Sequence, residues 1–297
     1  MQDLKGAVAV VTGAGSGIGY ALARGAQARG AKLVISDIRE DALADAKAKL
    51  ADGGEVLAMR GDVADAGDIE ALASAAVDRF GKVNLLFNNA GVFASGVAWK
   101  TSLEEYEWVI NVNQKSVIHG IRAFVPRMIA QGDPCHVTTI SSGAGITVNP
   151  GFATYSMTKH AVLALTEALY LDLTAQGVGN IGVTVVMPGV IQSKIMFPEK
   201  TGPDAIQDEL KSRLANPALG ALEAFMRQAV DTGLPADALA DLVYGAIARG
   251  DLYVLPNFTD DASQATAQGI GLGRARGENA YPRVMQALFS QLQQAPQ

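Results

Sequence analysis

Tyr155 and Lys159 stand four residues apart in Tyr155-Ser156-Met157-Thr158-Lys159, a spacing that puts a phenol and an ammonium on one face of a helix. A phenol titrates near 10, too high for proton exchange at neutral pH. A cation ~4 Å away at an effective dielectric of ~20 is worth about 4 kcal/mol, or about three pKa units. The pair is therefore expected to act as an acid–base couple in which the lysine lowers the tyrosine. Upstream, Ile140-Ser141-Ser142-Gly143 places a hydroxyl in the loop after an apolar run.

A second cluster lies near the N-terminus, where Thr12-Gly13-Ala14-Gly15-Ser16-Gly17-Ile18-Gly19 follows an apolar run and opens into a helix. Glycine permits positive φ and lets backbone N–H groups approach a pyrophosphate, whose charge a helix N-terminus favours. The glycines Gly13, Gly17 and Gly19 do not follow G-x-G-x-x-G, because Ile18 takes the last position. Asp37 ends the next apolar run, placed to accept hydrogen bonds from an adenosine ribose and to repel a 2′-phosphate. Neither Ile38 nor Ser16 supplies a cation for such a phosphate, and Arg39 is the one exception nearby. NAD is thus expected over NADP.

These groups need a scaffold that brings strand ends together. Short runs at Ala7–Val11, Lys32–Ser36, Val56–Met59, Leu85–Asn88, His136–Ile140, Gly182–Met187 and Leu252–Leu255 alternate with helical stretches at Ile18–Arg29, Glu40–Leu50, Ala66–Phe80, Ser102–Ala130 and Tyr155–Gln176. Apolar runs without polar alternation indicate strands covered on both faces. The fold class expected is α/β: a Rossmann-like, doubly wound, seven-stranded parallel sheet with helices on both faces.

Together the glycine turn, Asp37, the serine loop and Tyr-x3-Lys resemble the short-chain dehydrogenase/reductase family, in its NAD(P)-dependent branch of about 250 residues. The likeness covers roughly residues 4–257. It implies that Asp62 and Val63 contact adenine and that Asn88-Asn89-Ala90-Gly91 steadies the central sheet, with Asn89 beside the cofactor. It also makes Asn113, Ser142, Tyr155 and Lys159 a catalytic tetrad. Pro188-Gly189-Val190-Ile191-Gln192-Ser193 resembles the family's PGxIxT, so Pro188, Ile191 and Ser193 are expected at the nicotinamide, with Ser193 keeping the hydroxyl of the usual threonine. The implied reaction is hydride transfer between nicotinamide and a carbinol carbon, Tyr155 serving as base in oxidation and acid in reduction.

Phe93, Val148, Phe152, Ile195, Met196 and Phe197, with Ser142, are read as the substrate wall, suiting a hydrophobic or aryl secondary alcohol or ketone. Short matches around Phe124–Ala130, Met187–Ile195 and Asp251–Pro256 resemble a bacterial subgroup that includes NAD-dependent Cα-dehydrogenases of lignin-derived aryl ethers. Alternatives are an NADPH-dependent carbonyl or 3-oxoacyl reductase and a non-catalytic dinucleotide-binding regulator.

The 297 residues are assigned to one catalytic domain, 1–257, with a lid at about 188–233, and an extension, 258–297. Lys and Arg number 24 against 30 Asp and Glu, a net charge of −6 without a basic block, so nucleic acid is not expected as a partner. No apolar run is long enough for a membrane helix and no secretory signal is read at the start. With one cysteine, Cys135, no internal disulfide is possible, and no metal-ligand spacing occurs; a cytoplasmic location is expected. The helix Tyr155–Gln176 is apolar nearly all round, from which a homodimer or homotetramer is expected. Trp99 and Trp108 are expected to pack at the start of the Ser102–Ala130 helix, and Gly269, Gly271 and Gly273 to mark a flexible linker.

Overall fold

A computed structural model describes residues 4–193, 195, 202–214, 220, 224, 227–256, 261–282 and 286. Its strands are β1 (Val8–Thr12), β2 (Lys32–Asp37), β3 (Val56–Arg60), β4 (Leu85–Asn88), β5 (Cys135–Ile140), β6 (Ile181–Val186) and β7 (Tyr253–Val254). All pair in parallel, in the order β3-β2-β1-β4-β5-β6-β7. The described helices are α1 (Gly17–Ala28), α2 (Glu40–Leu50), α3 (Ala66–Phe80), α4 (Leu103–Ile110), α5 (Ser116–Gln131), α6 (Ala153–Ala175), α7 (Gln207–Leu214), α8 (Ala236–Arg249) and α9 (Asp261–Arg276). The expected fold is the one observed.

Alternate strand residues feed two cores, which is why the strands lack polar alternation. Val11, Ile35 and Phe87 pack on one face with Leu22 of α1 and Tyr244 of α8. Val10, Val34 and Leu86 pack on the other with Leu72 of α3 and Phe124 of α5. Each such side chain, fully buried, contributes roughly 1.5–3 kcal/mol. Strand order reverses between β1 and β4, which opens a crevice at the carboxyl ends of the strands.

Three expectations are corrected. The single helix read over Ser102–Ala130 is interrupted by a π turn, Asn111–Lys115, between α4 and α5. Gly269, Gly271 and Gly273 lie within α9, where Ile270 is buried; tertiary contact outweighs the ~1 kcal/mol that each glycine costs a helix. Trp99 does not pack but is 82 % exposed. Among the described residues no helix is long and apolar enough to cross a membrane, and no group of three or more His, Cys, Asp or Glu is placed to hold a metal ion.

Candidate active site

The glycine turn leaves β1 and enters α1 at the crevice. Gly13 and Gly17 have φ of 64° and 54°, a region unfavourable to other residues. A Cβ on Gly19 would stand 2.2 Å from the Gly13 carbonyl oxygen. Asn89, just after β4, braces the turn, its amide donating to the Thr12 and Gly13 carbonyls at 2.8 and 3.2 Å. Ser16, the N-cap of α1, makes no side-chain cap bond, so the first N–H groups of the helix face the crevice without a protein partner on their own cap. A bare cradle at a helix N-terminus fits a pyrophosphate.

Asp37, at the end of β2, accepts from the Gly15 N–H at 2.9 Å and from the Arg39 N–H at 3.0 Å. The Arg39 guanidinium donates to the Ser16 hydroxyl at 3.2 Å. This leaves an acid and a base side by side where a ribose edge would rest. Asp62 and Val63, after β3, border the same crevice, as do Pro188, Ile191 and Ser193. The Cβ of Ser193 lies 3.2 Å from where a Cβ on Gly17 would stand, so this turn closes over the glycine turn.

At the other end, Tyr155 and Lys159 emerge from the first turns of α6. The Lys159 ammonium donates to the Ile140 carbonyl at 2.9 Å and lies 5.6 Å from the Tyr155 ring centroid. Burial pushes the Tyr155 phenol above its usual value, with the Ser142 hydroxyl bond pulling the other way. Burial also draws Lys159 down to about 8. The expected lowering of Tyr155 by Lys159 is therefore not a property of this pair alone, because desolvation presses both groups toward neutrality.

Of the two serines, Ser141 is spent on α6, donating to the Lys159 carbonyl at 2.8 Å, while Ser142 faces the phenol. Asn113 is 1 % exposed on the π turn; its amide accepts from the Val92 N–H at 2.7 Å and donates to the Val92 carbonyl at 2.9 Å and to Thr158 at 3.2 Å.

One cavity of about 940 Å³ joins the two ends, and it also borders Ile38. Its substrate side is aromatic: the Phe93 ring stands edge-on to Phe152, with centroids 4.9 Å apart, and to Tyr155, 5.0 Å apart. Ile195 lines it; Met196 and Phe197 lie outside the described residues. Val148 is half-buried on the same loop but is not among the lining residues, its neighbours Thr147 and Asn149 taking that place. Trp108, expected to pack in the fold, lines the cavity with Glu104 and Glu107 of α4. Their exposure to the crevice depends on where α4 docks, and no local pattern signals it.

A family model described as short chain dehydrogenase matches residues 7–203. A short chain dehydrogenase/reductase from Burkholderia phymatum, solved in complex with NAD, superposes with a TM-score of 0.87 at 38 % identity, covering 94 % of this chain and 98 % of that one. The C alpha-dehydrogenase of Sphingobium sp. is 34 % identical over 265 residues, 86 % of this chain and 82 % of its own length. The 1-deoxy-11-beta-hydroxypentalenate dehydrogenase of Streptomyces avermitilis is 36 % identical over 260 residues, 86 % of each chain. The chain belongs to the short-chain dehydrogenase/reductase family and is an oxidoreductase acting on CH–OH groups.

Proposed function

We propose that the enzyme interconverts a hydrophobic secondary alcohol, aryl carbinols included, and its ketone, using NAD in preference to NADP. The observation that carries the substrate reading is the edge-to-face set Phe93, Phe152 and Tyr155, which puts aromatic surface beside the reacting group. The likeness to the C alpha-dehydrogenase supports it. The nicotinamide, when bound, supplies the hydride acceptor or donor.

In oxidation Tyr155 takes the proton of the alcohol, and in reduction it returns one to the carbonyl oxygen. Ser142 holds that oxygen by a second hydrogen bond. Lys159, bonded to Ile140, orients the nicotinamide ribose and carries positive charge toward the phenoxide. The Asn113 amide is committed to the Val92 backbone and to Thr158, so it acts by holding the π turn against the loop after β4 and against α6. The glycine turn, Asp62, Val63 and Asn89 bind the rest of the dinucleotide, and Pro188, Ile191 and Ser193 cover it.

A second reading, NADPH-linked carbonyl reduction, draws on Arg39, whose guanidinium already reaches Ser16 at the ribose edge. The exposed Met157, Tyr170 and Leu171 on α6 support a homodimer or homotetramer, and a lone buried cysteine fits the cytoplasm. Residues 1–257 form the catalytic unit in this reading, and 258–297 an appendage.

Nicotinamide absorbance with NAD or NADP against aliphatic, cyclic, steroid and 1-aryl secondary alcohols tests the substrate class and the cofactor preference. NAD-linked oxidation of the apolar and aryl members is expected. NADP-linked turnover would transfer the cofactor role to Arg39, and silence across the panel would overturn the substrate class.

A further inference from the structure

The substrate end of the cavity carries two charges that the reaction does not use. It is bounded by α4 and by the turn Asp204–Ile206, which touch. The Ser102 N–H before α4 donates to Glu209 of α7 at 3.1 Å, which ties the two walls together. From α4, Glu104 and Glu107 line the cavity three residues apart, hence on one helix face, with Trp108 beside them. Both carboxylates are exposed and neither forms a hydrogen bond or ion pair among the described residues.

Neither of the two described cations that line the cavity stands on the α4 wall. Arg39 is held by Ser16 at the dinucleotide end, and Lys159 is buried behind Tyr155 on the Ile140 carbonyl. Among the described residues, Phe93, Phe152, Ile206 and Val230 also line this end and carry no compensating charge.

We infer that Glu104 and Glu107 form a charge filter at the substrate mouth, which disfavours anionic substrates such as carboxylates and thioester carriers and admits neutral or cationic ones. The inference rests on the alcohol–ketone reading of the same cavity and adds the charge class of its substrate. At roughly 8 Å and an effective dielectric of roughly 40–80, each carboxylate weakens an anion about two- to sixfold, so the pair acts on the order of tenfold. A cation gains by a similar factor, and Trp108 offers it an aromatic face.

Three probes of one shape test this: a neutral acetophenone, its 4-carboxylate and its 4-trimethylammonium derivative. They are compared with wild-type protein and with the double variant Glu104→Gln, Glu107→Gln. In the wild type, kcat/KM for the anionic probe relative to the neutral one is expected to fall on the order of tenfold beyond the intrinsic reactivity difference, and in the double variant that ratio should recover. High salt should narrow the wild-type ratio and leave the variant's unchanged, since exposed charges are screened over a Debye length of about 8 Å at physiological ionic strength. Carboxylates near a helix N-terminus also offset the helix dipole, but that role changes stability rather than the ratio between probes.

Calorimetric titration of the three probes in the presence of NAD reads the same discrimination without turnover. Binding that follows charge while no probe turns over would uphold the filter and remove the alcohol–ketone reading. Equal ratios in wild type and variant, whether by turnover or by binding, would overturn the filter alone.

Discussion

At the dinucleotide end Gly13, Gly17 and Gly19 shape the cavity by the side chains they lack, whereas at the substrate end Phe93, Phe152 and Trp108 shape it by the bulk they bring. The first end is held by backbone: Asn89 bonds two carbonyls of the turn, and Asp37 accepts two N–H groups. The second is held by packing of segments far apart in the chain, from the loop after β4 to the turn before α7. A backbone cradle tolerates few substitutions, because a Cβ at Gly19 collides with the main chain itself. A wall of side chains can change while the sheet beneath it stays. The cofactor step and the substrate step are thereby free to diverge separately.

If the two ends are separable, Tyr155→Phe should break one and spare the other. The Phe ring keeps the edge contact to Phe93, so packing is preserved. Loss of the acid–base group is expected to lower kcat about 10³-fold, equivalent to about 4 kcal/mol, while calorimetric affinity for NAD stays within about twofold. A matching loss of NAD affinity would show that the ends are coupled through the phenol.

The same contrast explains which parts were legible in the sequence. The glycine turn, Asp37 and Tyr155 with Lys159 sit at fixed local spacings, and the sheet follows from seven apolar runs whose alternate residues enter two cores. The π turn at Asn111–Lys115 carries no local signature, and within it Asn113 accepts from the Val92 N–H, a contact across 21 residues that spacing does not show. Glu107 and Trp108 escaped because their place on the cavity depends on docking of α4, not on spacing. Which residues of the loop before α6 meet the cavity depends on its path, and Thr147 and Asn149 line it where Val148 does not. Charge is legible in the sequence but desolvation is not, and it is burial that raises the Tyr155 phenol and draws Lys159 down.

The sheet halves under the two ends differ as well. At the β1–β2 pairing the register joins apolar residues such as Val10 and Val34, while at β5–β6 it buries His136, whose Nε2 meets the Thr184 hydroxyl at 2.8 Å. Burial holds His136 down to about 4, against roughly 6.5 in an unfolded chain. Between these values the unfolded chain binds more protons, so stability present above pH 6.5 is lost as pH falls toward 4, by up to about 3 kcal/mol. Urea unfolding at stepped pH measures this loss, and His136→Gln should flatten the slope across the window. An unchanged slope would assign the acid sensitivity to another group and leave the two halves alike.

The smallest expected effect concerns how far the dinucleotide end is backbone alone. Asp37 both braces the Gly15 N–H and offers a carboxylate to a ribose, and Arg39 sits beside it. Asp37→Asn keeps the size of the brace and removes the charge. A charge-assisted hydrogen bond is worth about 1.5–3 kcal/mol, so NAD should weaken roughly tenfold or more in a calorimetric titration. NADP, freed from carboxylate repulsion and close to Arg39, should hold or tighten. Equal weakening of both cofactors would mean that Asp37 acts only by shaping the turn, and discrimination at this end would then belong to Arg39 and Ser16.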